Sequence, residues 1–394
     1  MAPQPPVPAV LTQLTLVRDG ENYVVGSPHT AAYVEVPEIG ARIIEWLQDG
    51  ASVAEAGRRA ADLAGEPVDV EDFMQTLADE GLLAEGDGAA PLTGTLRQRA
   101  GAALFGRIAW SAYAVLALTA AVLLVAVPAL RPTFRDAFPF DTQLLNIVAA
   151  SVLGMLAVAA HEGAHVLATA ALGLRSRLSV SRRLYFVTFQ ADLTRLWSVP
   201  RRARYGPLLA GMAWDAAILS VALLVQVAVP DGLVVRLLRA LIVLQFTALV
   251  AQAMVFVRTD IYALLVNATG CKTLWATKGA LLRRYLRRAG PDDRRQLAEA
   301  DPREVVWARR YLWLYVPGTA VALYYLGMFV LPALPHLVGL CIAPIRADGL
   351  TTLAAWEGLA ALAVAALPSA LAIAGAVRGA WRVLFRAISG GASA

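Results

Sequence analysis

Residues 144–173 read LLNIVAASVLGMLAVAAHEGAHVLATAALG. At about 1.5 Å per residue this run is longer than the roughly 30 Å of hydrocarbon in a bilayer. It is apolar almost throughout, until His161-Glu162-Gly163-Ala164-His165 interrupts it. Each ionisable group placed in hydrocarbon costs several kcal/mol, so three within five positions point to a joint task. On a helix, residues i and i+4 share a face, so His161 and His165 can reach one ion. Glu162 sits about 100° round the helix, outside that ligand pair, where it can take a proton from water on the ion. Two histidines leave a metal incompletely bound, so a third ligand must come from elsewhere. A chance match is the alternative, and the burial penalty weighs against it.

Working outward, further apolar runs lie near 107–128, 207–229, 237–257, 311–332 and 351–377. Two basic stretches, 174–206 and 258–310, separate them, and the positive-inside rule assigns both to the cytoplasm. Arg97, Arg99 and Arg107 put the N-terminal side there, and Arg378, Arg382 and Arg386 the C-terminus. Six spans satisfy these assignments, with Arg236 and Arg239 as exceptions at the outer start of the fourth. Trp110, Trp307, Tyr311, Trp313 and Trp381 fall at the expected span ends, as interfacial aromatics do. The expected fold is a polytopic α-helical membrane protein of about six transmembrane helices in the cytoplasmic (inner) membrane, with both termini cytoplasmic.

Composition agrees. The chain has 394 residues, 58% hydrophobic and 16% charged, where soluble domains carry about 25% charge. A large, wholly soluble enzyme is excluded. Two cysteines, Cys271 and Cys341, exclude a disulfide framework and a Cys-rich metal site. The start, MAPQPPVPAV, lacks a basic n-region and an apolar h-region, so no signal peptide is expected.

Charge divides the chain. Residues 1–88 hold 4 Arg and 16 Asp or Glu, net −12, and residues 89–394 hold the opposite excess, net +17. The acidic part reads as a small α+β domain at 11–85. Strand-like runs at 14–18, 23–26 and 32–36 come first, with Asp19-Gly20 as a hairpin turn. Pro37 opens a helix stopped by Asp49-Gly50, Ser52 with Glu55 caps a second, and Asp69 caps a third that stops near Gly81. Residues 86–106 are a Gly/Pro/polar linker, and 107–390 form the membrane unit. The local charge of −12 opposes phosphate contact, so nucleic acid is rejected as a partner.

Acids at membrane depth are candidates for the third ligand: Asp215, Asp260 and Asp192. Asp260 lies at the cytoplasmic end of the fourth span, about 21 Å of helix from the level of His161. A broken or re-entrant segment would bring it inward. The alternative is an interfacial acid paired with Arg258. Asp215 could instead hold a ligand histidine, or be a buried acid bonded to Trp214 or to backbone. His29 and His336 are lone histidines and are not expected to bind metal.

HExxH in an early span, the strand-like basic segment 184–189, Leu209-Ala210-Gly211 and a late Asp260 followed by an aromatic resemble the site-2 protease family. The likeness covers roughly 144–275 and is nearest the bacterial peptide zinc metalloprotease branch. It implies Zn²⁺ held by His161, His165 and Asp260, Glu162 as catalytic base, and a substrate-binding amide at Gln252, where the family has Asn. Val255 stands for the family's Pro, Ile261 for its Gly after the Asp, and Met212 for the Pro after its LAG. The domain at 11–85 resembles the PqqD-like winged-helix fold, which implies binding of a precursor's leader peptide as an added strand, with Val34, Val36, Phe73 and Leu77 as substrate-binding positions. Together these imply a membrane zinc endopeptidase that matures a ribosomally made peptide, as in daptide-type pathways. Regulated intramembrane proteolysis of an anchored regulator, and a non-enzymatic exporter or immunity component, are the competing classes. Oligomeric state is open.

Overall fold

The computed structural model describes residues 9–27, 30, 32–84, 94–183 and 186–366, and is mostly helical. At the N-terminal end β1 (Thr15–Asp19), β2 (Asn22–Gly26) and β3 (Tyr33–Val36) form an antiparallel sheet in that order. Gly20 turns between β1 and β2 at φ 79, a conformation that glycine adopts without steric cost. Three helices follow, α1 (Glu38–Gln48), α2 (Val53–Ala64) and α3 (Val70–Asp79). The Ser52 hydroxyl accepts from the Glu55 N–H, and the Asp69 carboxylate accepts from the N–H groups of Glu71 and Asp72. These caps satisfy donors that a helix start leaves unpaired. Leu11, Val25, Ile43, Ile44, Leu47 and Leu77 are buried together as the core of this unit.

The second half of the expected linker is a helix, α4 (Leu96–Leu104), packed on the helix that carries HExxH. A Cβ at Gly101 would stand 2.2 Å from the Leu167 carbonyl oxygen, so glycine permits the crossing. Then come α5 (Arg107–Ala126), α6 (Gln143–Ala171), α7 (Arg201–Ala228) and α8 (Leu233–Gln252), four helices long and apolar enough to cross a membrane. α7 packs against each of the other three. Between α6 and α7 lies an antiparallel hairpin, β4 (Leu178–Arg183) with β5 (Phe186–Ala191). It covers most of the strand-like segment; residues 184 and 185 fall outside the described residues.

Past α8 the chain differs from the sequence expectation. The fourth apolar helix stops at Gln252, not 257. The basic stretch then folds as α9 (Asp260–Thr269), α10 (Leu274–Tyr285) and α11 (Pro291–Glu299). α12 (Pro302–Tyr325) begins before the expected fifth run. A π-helical turn (Leu326–Val330) carries it into α13 (Leu331–Asp348), through a region expected as loop. The sixth run is described only to 366, as the helix Leu353–Ala366. Trp381, Arg378, Arg382, Arg386 and His29 lie outside the described residues.

The N-terminal unit is seated on the helical one. Arg201 and Arg204, at the start of α7, hold Asp19 at 2.8 and 3.1 Å. Lys272 pairs with Glu35 of β3 at 2.7 Å.

Candidate metal centre

α6 presents His161 and His165 on one face, toward α7. His161 Nδ1 lies 2.7 Å from Asp215 Oδ2, and His165 Nδ1 lies 2.7 Å from the Pro207 carbonyl oxygen. A carbonyl can only accept, so His165 donates from Nδ1 and its Nε2 carries a lone pair. The carboxylate of Asp215, buried in α7, selects the same tautomer for His161. Gly211 explains how the helices come this close. A Cβ there would lie 2.5 Å from His161 Nε2 and 2.6 Å from His165 Nε2.

Asp260 arrives through a break in the helices. α8 ends at Gln252, a short 3₁₀ turn follows at Val255–Val257, and Arg258 adopts the left-handed conformation at φ 61. Gln252 clamps the far side of the break. Its side-chain oxygen accepts from the Asp260 N–H at 3.0 Å, and its amide donates to Asp260 Oδ2 at 3.2 Å. Thr259 Oγ1 donates to the Gln252 carbonyl at 2.8 Å. α12 holds the near side, where the Tyr311 hydroxyl donates to the Val255 carbonyl at 2.9 Å. The Phe256 ring rests on Gly318, where a Cβ would come within 2.5 Å.

Asp260 Oδ2 thereby stands 3.0 Å from His161 Nε2 and 3.3 Å from His165 Nε2, with the two Nε2 atoms 3.2 Å apart. Tetrahedral zinc ligands at about 2.0–2.1 Å would stand about 3.3 Å from one another. With both Nδ1 atoms engaged as donors, the two Nε2 atoms and Asp260 Oδ2 can all turn lone pairs to one cation, and their spacing fits it. Glu162 follows His161 on α6. The Ala191 N–H, at the end of β5, donates to Glu162 Oε2 at 2.6 Å.

The structure thus brings together His161, His165 and Asp260, puts Asp215 behind His161, and holds Glu162, the next residue on α6, to the Ala191 N–H. Asp192 is elsewhere: its carboxylate accepts from the N–H and hydroxyl of Thr194. Gln252, expected to contact substrate, reaches the site, and both ends of its amide engage Asp260. Val36 and Leu77 are in the N-terminal core, 4% and 1% exposed, so their expected contact with a peptide is corrected. Val34 and Phe73 are half-buried at the edge of that core. Sequence reasoning missed Pro207, Tyr311 and Gly318. A backbone carbonyl leaves no sequence signal, Tyr311 reads only as an interfacial aromatic, and a glycine within an apolar run such as Gly318 carries no signal of its own. No protein-family model, curated protein or solved structure matches the chain.

Proposed function

We propose that the chain is a membrane-embedded zinc endopeptidase of the site-2 protease type, with six spans in the cytoplasmic membrane and both termini in the cytoplasm. Its N-terminal domain, of PqqD-like winged-helix type, recognises the leader of a ribosomally made precursor peptide. The observation that carries this reading is the set of three facing atoms on His161, His165 and Asp260, each oriented by a group behind it.

His161, His165 and Asp260 would hold the ion, which supplies Lewis-acid polarisation of the water and the scissile carbonyl. Glu162 takes the proton of the attacking water and returns it to the leaving amine as the C–N bond breaks. The Ala191 N–H fixes one Glu162 oxygen, which leaves the other to carry the proton. Asp215 keeps His161 in the ligating tautomer. β3 has β2 as its one sheet neighbour among the described residues, and the leader would add as a strand at its other edge, with Val34 and Phe73 as side-chain contacts.

The purified full chain should hold about one zinc ion, as a three-ligand site does. Glu162→Gln should keep the zinc and stop cleavage of a candidate precursor, whereas His161→Ala should lose both. Cleavage persisting in Glu162→Gln, or a wild-type protein devoid of zinc after reconstitution, would sink the proposal.

A further inference from the structure

α10 ends at Tyr285, and the chain turns into α11 at Pro291. Arg287 makes the turn in the left-handed region, at φ 57, where a side chain is strained and which is uncommon outside glycine. The corner forms a cavity of about 560 Å³ lined by Arg284, Arg287 and Arg294, with Ala289, Leu297 and Ala298.

Of the acids nearby, Asp292 at the start of α11 makes no ion pair with the three arginines, and the others are engaged elsewhere. Asp293 binds Arg283 and accepts from the Gly290 N–H, Glu299 pairs with Arg295, and Asp301 caps α12. Among the described residues no carboxylate is within ion-pair distance of Arg284, Arg287 or Arg294. Three like charges around one cavity repel, and an anion relieves them. Guanidinium forks match the oxygens of a phosphate, to which they donate in pairs.

A second observation says where the phosphate comes from. Tyr285 and Leu286, 58% and 59% exposed, stand beside the arginines. Exposed aromatic and aliphatic groups flanked by cations suit a bilayer interface. The corner also lies at a matching depth. Trp275, early in α10, packs on Tyr315, and Leu281 shares a core cluster with Ala308. The far end of α10 therefore lies toward the start of α12, which carries Arg303, Arg309 and Arg310. Val306 is a single exposed apolar residue on this first part of α12, and the run of exposed apolar side chains begins beyond it, at Trp313.

We propose that the α10–α11 corner is a binding site for a phosphate-bearing anion, supplied by the headgroup of an anionic lipid of the adjoining leaflet. Arg284, Arg287 and Arg294 hold the phosphate, and Tyr285 and Leu286 meet the glycerol and upper acyl region. Basic pockets at the charged face of membrane proteins suit such headgroups. The site rests on the membrane reading and is independent of the metal centre, so zinc content reports separately on the latter.

The test uses delipidated full-length protein titrated with phosphatidylglycerol, phosphatidylcholine or inorganic phosphate, with native mass spectrometry counting bound molecules. Phosphatidylglycerol should bind saturably and phosphatidylcholine should not. Replacing Arg284, Arg287 and Arg294 together with Gln should weaken phosphatidylglycerol binding about a hundredfold, at roughly fivefold per arginine. Arg295→Gln, outside the cavity lining, should bind as the wild type does. Equal binding by the triple variant, or equal binding of the two lipids, would overturn the site. Inorganic phosphate displacing the lipid at micromolar concentration would overturn the lipid as the source.

Discussion

Asp215 is 2% exposed within α7 and is not one of the three facing groups, yet its oxygen lies 2.7 Å from His161 Nδ1. Its effect reaches the site through the imidazole, whose tautomer and direction it sets. Groups behind a ligand histidine typically govern 10–100-fold in metal affinity. Asp215→Ala should therefore weaken zinc binding by about that factor, read by competition with a coloured chelator, while the fold is retained. Unchanged affinity would show that the packing of Gly211 against both rings orients them alone. HExxH and its glutamate were legible in the sequence because helical spacing alone puts the two imidazoles on one face. Asp215 was legible only as one of three candidate acids, since nothing local says which helix faces it.

At the scale of elements, the break at 253–259 converts two helices into a device that turns an acid inward. α12 maintains it through the Tyr311–Val255 hydrogen bond and the Phe256–Gly318 contact. Gly318→Leu should push Phe256 out of place and shift Asp260. A displacement near 1 Å would cost about a hundredfold in turnover, with a parallel loss of zinc on dialysis. Phe256→Ala in the same background should recover much of the zinc; if it does not, the break is not held at this contact. Caps and hairpin turns of the N-terminal unit were readable because Ser52, Asp69 and Gly20 act within a few residues. The end of α8 was not, because 253–257 continues the apolar run and only contacts with α12 and Asp260 end the helix.

At the scale of the whole molecule, the −12 unit and the +17 unit meet at Asp19. Burial raises the Asp19 carboxyl, but Arg204, Arg201 and Lys272 outweigh it and hold it below the usual carboxylate range. A group depressed on folding adds stability above its unfolded value, near 3.9, and loses it as pH falls through the folded value. The Asp19 contribution to docking should thus be complete at neutral pH, begin to weaken as pH falls to about 4, and be lost only below the depressed folded value. Asp19→Ala should release the N-terminal unit at neutral pH, at a loss of about 3–5 kcal/mol for a broken buried pair. Hydrogen exchange across β1–β3 and 194–204 measures both, and unchanged protection in Asp19→Ala would rule out the clamp. By itself the sequence determined four membrane-length helices, the paired histidines beside a glutamate, and the small capped domain. These follow from hydropathy, helical period and capping, which act over a few turns of chain. Tertiary structure decided which aspartate joins the histidines, that a backbone carbonyl and a glycine orient them, that Gln252 holds Asp260, and that the acidic unit is docked. These depend on packing between distant segments, such as the 42- and 54-residue separations behind the two histidines, and no local pattern encodes them.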